Sequence, residues 1–257
     1  MNIDKQALLP LLIFNQEIKY NEQITLYPVK MKHIVDFQQC QMTLTLRKDA
    51  IFREKNILKM DYLDFIKYAF RNAELSRQYE MPLLPFYYDF LLKIFQLVCG
   101  ENANITYDSS TLDIFINGCK ITNSILDDLR RIIILQNDID FDTDEFMNID
   151  TVKALERARE FEEKKHKEKA DIEDYIDSLI IGLKVTEEYV SNLTIRKFWR
   201  YIKRLNKYEE YQACRHGQMS GMVTFSEPIQ HWMTSIEVVD KYQDLKTDEG
   251  ELRSKVE

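Results

Sequence analysis

The stretch that decides the fold runs from Asn104 to Asn137 and reads NITYDSSTLDIFINGCKITNSILDDLRRIIILQN. Its first part is short apolar runs separated by turn residues, and its last part repeats Leu and Ile at helical spacing. Two short strands flank Asp108-Ser109-Ser110. Asn117-Gly118 supplies a two-residue hairpin turn, because both residues tolerate positive φ. Asn123 or Ser124 then stands where a helix needs its cap, and Asp127 and Asp128 in the first turn favour the helix dipole. A hairpin feeding a helix, inside a chain patterned elsewhere as helix, predicts an α+β fold. The fold is predominantly α-helical: helical domains with one small β-hairpin or meander near residues 104–122.

Upstream of that unit, EIKYNEQITLYPV (Glu17 to Val29) reads as extended, turn-punctuated chain ending beside Pro28. MKHIVDFQQCQMTLTL follows as a short helix. MDYLDFIKYAFRNAELSRQYE is a clearer one, with Tyr62, Phe65, Ile66, Ala69 and Phe70 at three- and four-residue spacing. Pro82 and Pro85 break the chain, and FYYDFLLKIFQLVCG is apolar almost all round, which predicts a buried helix ending at Gly100. These pieces form an N-terminal α+β domain over residues 1–148.

Downstream the composition shifts. Residues 149–170, IDTVKALERAREFEEKKHKEKA, are dense in both signs of charge and predict an exposed helical linker, with Glu160–Lys164 and Glu163–Lys167 as i,i+4 pairs. A C-terminal helical domain follows over residues 171–240. In its main helix Phe198, Trp199, Ile202 and Leu205 share one face, while Arg196, Arg200, Lys203 and Lys207 share the opposite one. GMVTFSEPIQHWM (Gly221 to Met233) closes that helix. Ile229, Trp232 and Met233 recur at helical spacing and predict a short helix starting at Pro228. Residues 241–257 are polar and read as a frayed tail.

Composition narrows the function classes. The 257 residues carry a net charge of −8, which disfavours a general nucleic-acid surface while leaving room for a local basic patch. Only 6 Gly and 5 Pro are present, which argues against a Gly-rich phosphate loop. The run Ala7 to Phe14 is too short to span a bilayer and has no charged leader, so a cytoplasmic compartment without membrane attachment is expected. Cys40, Cys99, Cys119 and Cys214 form no C-x-x-C pair and read as reduced, buried thiols.

No chemistry converges. Cys214, His216 and His231 are the nearest approach to a metal set, and their spacing matches no zinc pattern. QNDIDFDTDEF alternates carboxylates as a calcium loop does. Counted from Asp138, however, the sixth and twelfth positions hold Thr143 and Ile149 where that loop needs Gly and Glu. No G-x-S-x-G elbow is present, and Cys119 has no histidine near it in sequence. The expectation is a protein that is not an enzyme, with no catalytic residues, metal or cofactor. The basic face is the strongest constellation: a dock for a partner, or a solvated face. Trp232 and Met233 either seal the helical core or anchor in a partner, where Trp is over-represented. The candidate partner-binding residues are Arg196, Trp199, Arg200, Lys203, Arg204, Lys207, Trp232 and Met233.

Three separated pieces, ITLYPVKMKHIVDF, INGCKITNSILDDLRRIIILQN and the basic helix leading into GMVTFSEPIQHWM, together resemble the tail assembly chaperones of tailed bacteriophages that infect low-GC bacteria. The similarity is in order and covers most of the chain, on apolar patterns with a few polar positions. It implies a non-enzymatic protein in the cytoplasm of the bacterial host. Such a protein binds the tape measure protein and keeps its long helix in solution while tail-tube subunits are recruited. A Met- and aromatic-rich helical surface suits that task, since adaptable apolar side chains accept many segments. Self-association is left open. The alternatives are a structural virion component, such as a head–tail or baseplate protein, and a nucleic-acid-associated regulator using residues 196–207.

Overall fold

The computed structural model describes residues 5–141, 145–146, 157, 170–221, 223–236 and 247–248. It is 60% helical with small antiparallel sheets of two and three strands, an α+β fold dominated by helix. The linker expected over 149–170 and the tail expected over 241–257 lie almost wholly outside the described residues.

The chain opens with helix α1 (Lys5–Ile13) and the two-residue strands β1 (Ile18–Lys19) and β2 (Thr25–Leu26), paired so that Ile18 faces Leu26. Asn21 makes the turn between them: its Oδ1 accepts from the backbone N–H groups of Gln23 and Ile24. This is the local side-chain bond that suits Asn to turns. A 3₁₀ turn at Met31–His33 leads into α2 (Ile34–Cys40), α3 (Met42–Thr45), α4 (Lys48–Ile51) and α5 (Lys55–Lys59). Helix α6 (Tyr62–Arg71) buries Phe65, Ile66 and Ala69 on the expected stripe, and α7 (Ala73–Gln78) continues it after a break at Asn72. Beyond the prolines, α8 (Tyr87–Val98) is the central helix, with Leu91, Ile94, Phe95 and Val98 almost fully enclosed.

The deciding stretch folds as strands β3 (Ile105–Tyr107), β4 (Ile114–Ile116) and β5 (Cys119–Lys120), followed by α9 (Asn123–Asn137). Asn117 and Gly118 take φ of 51° and 81° at the β4–β5 turn, the left-handed pair that the Asn-Gly signal predicts. The cap of α9 differs from expectation. Thr122 holds it, its Oγ1 accepting from the Ile125 N–H at 3.3 Å. Asn123 is instead the first helical residue, and its Nδ2 donates to the carboxylates of Asp61 and Asp64.

Strand β6 (Glu145–Phe146) pairs with β7 (Thr247–Asp248). Helix α10 (Ile172–Leu183) begins in a reciprocal capping box between Asp171 and Asp174. Thr186 caps α11 (Glu187–Asn192), and Thr194 caps the long α12 (Ile195–Met219).

The core is continuous from α1 to α12. Its hub is the segment from Leu26 to Met31. The Leu26 carbonyl accepts from Gln136 Nε2, and the Tyr27 N–H donates to the Val98 carbonyl. Asn137 Oδ1 accepts the Val29 N–H at 3.0 Å. Pro28 itself has no N–H to satisfy. The outer edge of the same segment meets the C-terminal helices. Met31 N–H donates to the Leu193 carbonyl at 2.8 Å, and Ile195 N–H donates to the Val29 carbonyl at 2.9 Å. Lys30 and Thr194 form an antiparallel bridge between those bonds. Val190, Ile195, Phe198 and Ile202 are buried behind this seam.

Two of the four thiols depart from expectation. Cys40 and Cys99 are buried, and burial pushes the Cys99 thiol up to about 12. Cys119 and Cys214 are only half-buried.

Candidate functional site

Helix α12 carries the site. Its first turns are anchored in the core by Phe198 and Ile202, and Trp199 packs edge-on against Phe198 and Tyr175, both at 5.2 Å. Trp199 is therefore a half-buried wedge, on the apolar side as the spacing predicts. It also lines a cleft of about 390 Å³ with Gln38, Gln41, Asn137 and Asp138, between α2, the end of α9 and the start of α12. From Asn206 onward no residue of α12 is buried, so the second half of the helix leaves the core as an arm.

Four cations of α12, Arg196, Lys203, Arg204 and Lys207, divide between two internal destinations. Asp138, in the left-handed position just past α9, takes Arg196 at 3.5 Å and Lys203 at 3.7 Å. With Lys203 half-exposed, its pair contributes at most about 1 kcal/mol. Farther along, Arg204 Nη1 donates to the carbonyls of Trp232 and Thr234, and Lys207 Nζ donates to the Ser235 carbonyl at 2.6 Å. Arg200 is half-buried.

GMVTFSEPIQHWM turns back at Gly221, whose φ of +70° is the left-handed geometry that glycine tolerates. The returning chain then runs antiparallel to α12. Val223 and Phe225 lie near Gly217, the His231 ring stands 5.2 Å from Tyr211, and Trp232 sits edge-on to Tyr208 at 5.3 Å. The helix expected from Pro228 is not formed. Instead the Met233 N–H donates to His231 Nδ1 at 3.2 Å and the Thr234 N–H to the His231 carbonyl at 3.0 Å in a local turn, and Arg204 and Lys207 hold the carbonyls that follow. Trp232 is half-buried and Met233 is 66% exposed. Trp232 thus faces the arm, outside the core.

Residues 163–237 match the model of the YomV second domain. That is a phage-associated domain family. The match takes in α10, α11, α12 and the described residues of the returning strap. Comparison with curated proteins and with solved structures gave no match.

Of the eight residues singled out in sequence, the structure brings Arg204, Lys207 and Trp232 into one contact within the matched domain. Arg196 and Lys203 go to Asp138, and Trp199 to the cleft. Tyr208 and Tyr211 escaped the sequence reading. Their signal is present, since Arg204, Lys207, Tyr208 and Tyr211 fall at helical spacing on one stripe. Among the described residues, no group of three or more His, Cys, Asp and Glu side chains is placed to hold a metal ion. Cys214 and His216 lie on the arm, and His231 is turned to Tyr211. No described helix is long and apolar enough to cross a membrane.

Proposed function

We propose that the protein is a non-enzymatic tail assembly chaperone of a phage or prophage, binding the tape measure protein or another tail protein in the cytoplasm of the bacterial host. The observation that carries this reading is the arm of α12 and its strap, inside a domain similar to a phage-associated family. The arm leaves the core and presents adaptable apolar side chains, with Met219 75% exposed and Met233 66% exposed. Methionine and aromatic side chains on a projecting helix suit a surface that accepts varied helical partners.

Capture of the tagged chain from induced cells tests the reading directly. The expected result is co-purification of a tape measure protein, and absence of the chain from purified particles by mass spectrometry. Finding it as a stoichiometric particle component would replace the chaperone with a structural virion protein.

A further inference from the structure

The strap on α12 has the features of an internal placeholder. Every hydrogen bond that Arg204 and Lys207 make is to a main-chain carbonyl, at Trp232, Thr234 and Ser235. Such contacts read main-chain carbonyls, here presented by the turn at His231–Thr234, and are indifferent to side-chain identity. Side-chain selection comes from the two rings, Tyr208 against Trp232 and Tyr211 against His231. The strap is also poorly matched in charge. Two full cations meet neutral oxygens, and among the described residues neither has a carboxylate partner. Within 223–236 the single carboxylate is Glu227, which is exposed. The bonds to the strap already have a charged donor; a carboxylate acceptor would add the attraction between two full charges and, with Arg, a bidentate geometry. A segment that supplied carboxylates at these positions would hold the face better than the chain's own strap does.

The strap lies outside the core. Of residues 223–236 only Ile229, Trp232 and Ile236 are even half-buried, and none belongs to the core. Gly221 provides the hinge. We propose that the stripe Arg204, Lys207, Tyr208 and Tyr211 is a docking site for a short acidic segment of a partner protein bearing an aromatic residue, and that residues 231–235 cover it until that segment arrives. This deepens the reading of the protein as a binding factor by assigning partner chemistry, and its test uses a synthetic peptide so that it stands or falls without any tail protein.

The probe is fluorescein-labelled Ser-Glu-Asp-Glu-Trp-Asp-Glu-Ser-amide, titrated by anisotropy against the full chain at low salt. Its control replaces each Glu with Gln and each Asp with Asn. The acidic peptide binds, added salt weakens it, and the neutral control binds at least about tenfold less well, as expected for charge-assisted contacts. Trp232→Ala releases the strap and tightens acidic-peptide binding by about tenfold if the strap is docked about nine-tenths of the time, because apparent affinity scales with the competent fraction. Arg204→Gln with Lys207→Gln abolishes binding, in both the wild-type and Trp232→Ala backgrounds, with the thermal unfolding transition retained. Equal binding of acidic and neutral peptides overturns the proposal, as does Trp232→Ala that binds no tighter. A concentration-dependent dimer in sedimentation that Trp232→Ala converts to monomer, without peptide binding, would assign the face to the strap of a second copy and overturn it too.

Discussion

Asp113 shows how much a single residue can hide in a sequence. In the stretch Thr111 to Phe115 it reads as one polar position before a strand. In the structure it accepts from Lys67 at 2.7 Å and from Lys120, joining α6 to the β3–β5 sheet. The two ammonium groups hold its carboxyl well below the ordinary value of 3.8. A carboxyl depressed in the folded state stabilises the fold above its unfolded value, and that contribution is lost as pH falls through the folded value. Asp113→Asn should therefore lower the urea midpoint at about pH 7, and the deficit should narrow steadily as pH drops below the ordinary aspartate range. A deficit that stays constant from neutral to strongly acid solution would show the ion pairs to be idle. Lys67 lies too far off in sequence for any local pattern to announce the pairing. Arg130 is hidden in the same way: it is 8% exposed, donates to the Leu44 carbonyl and stacks 3.6 Å over Tyr62, whose hydroxyl burial pushes up to about 12.

Among the elements, those with strong local codes were legible. The Asn117-Gly118 hairpin, the stripe of α6 and the buried α8 form from nearest neighbours and needed nothing distant. The cap of α9 moved by one residue because Asn123 had a better offer across space, from Asp61 and Asp64. Thr122→Ala should accordingly cost about 1 kcal/mol of stability with an unchanged denaturant slope. The strap was misread as helix for a related reason: a tertiary contact from Arg204 and Lys207 outbid a weak local periodicity over a few residues. Its peripheral position separates two aromatic substitutions. Phe198→Ala empties a fully buried site on α12 and should cost about 3–5 kcal/mol. Trp232→Ala removes an edge contact outside the core and should change global unfolding by less than about 1 kcal/mol. Equal costs for the two would mean that the strap is part of the core after all.

At the scale of the molecule, the sequence conveyed the fold class and the composition shift toward the C-terminal helices, but not the seam where those helices meet the N-terminal body. No periodicity encodes a bridge between Lys30 and Thr194. It follows from Pro28 and Asn137 holding the segment open with Val29 O and Met31 N unspent. Ile195→Pro probes it cleanly, since proline is accommodated at the first position of a helix and Thr194 already has the extended backbone that precedes one. The variant should keep its helical circular dichroism yet lose the bond to the Val29 carbonyl and part of the buried Ile195 side chain, a cost of about 2 kcal/mol or more. Hydrogen exchange at the Met31 amide should accelerate in parallel. Unchanged exchange there would mean that the seam contributes nothing to how the two parts hold together.

The same seam imposes an order of events during synthesis. Residues 29–31 leave the ribosome about 160 positions before residues 193–195, and at about 5–20 residues per second that is an interval of about 10–30 s. Throughout it, a short edge of backbone donors and acceptors beside the main core waits for the last helices to be made. A nascent chain stalled before Leu193 exposes that edge to any strand that passes, so the hazard in making this protein lies in the pause between its two ends.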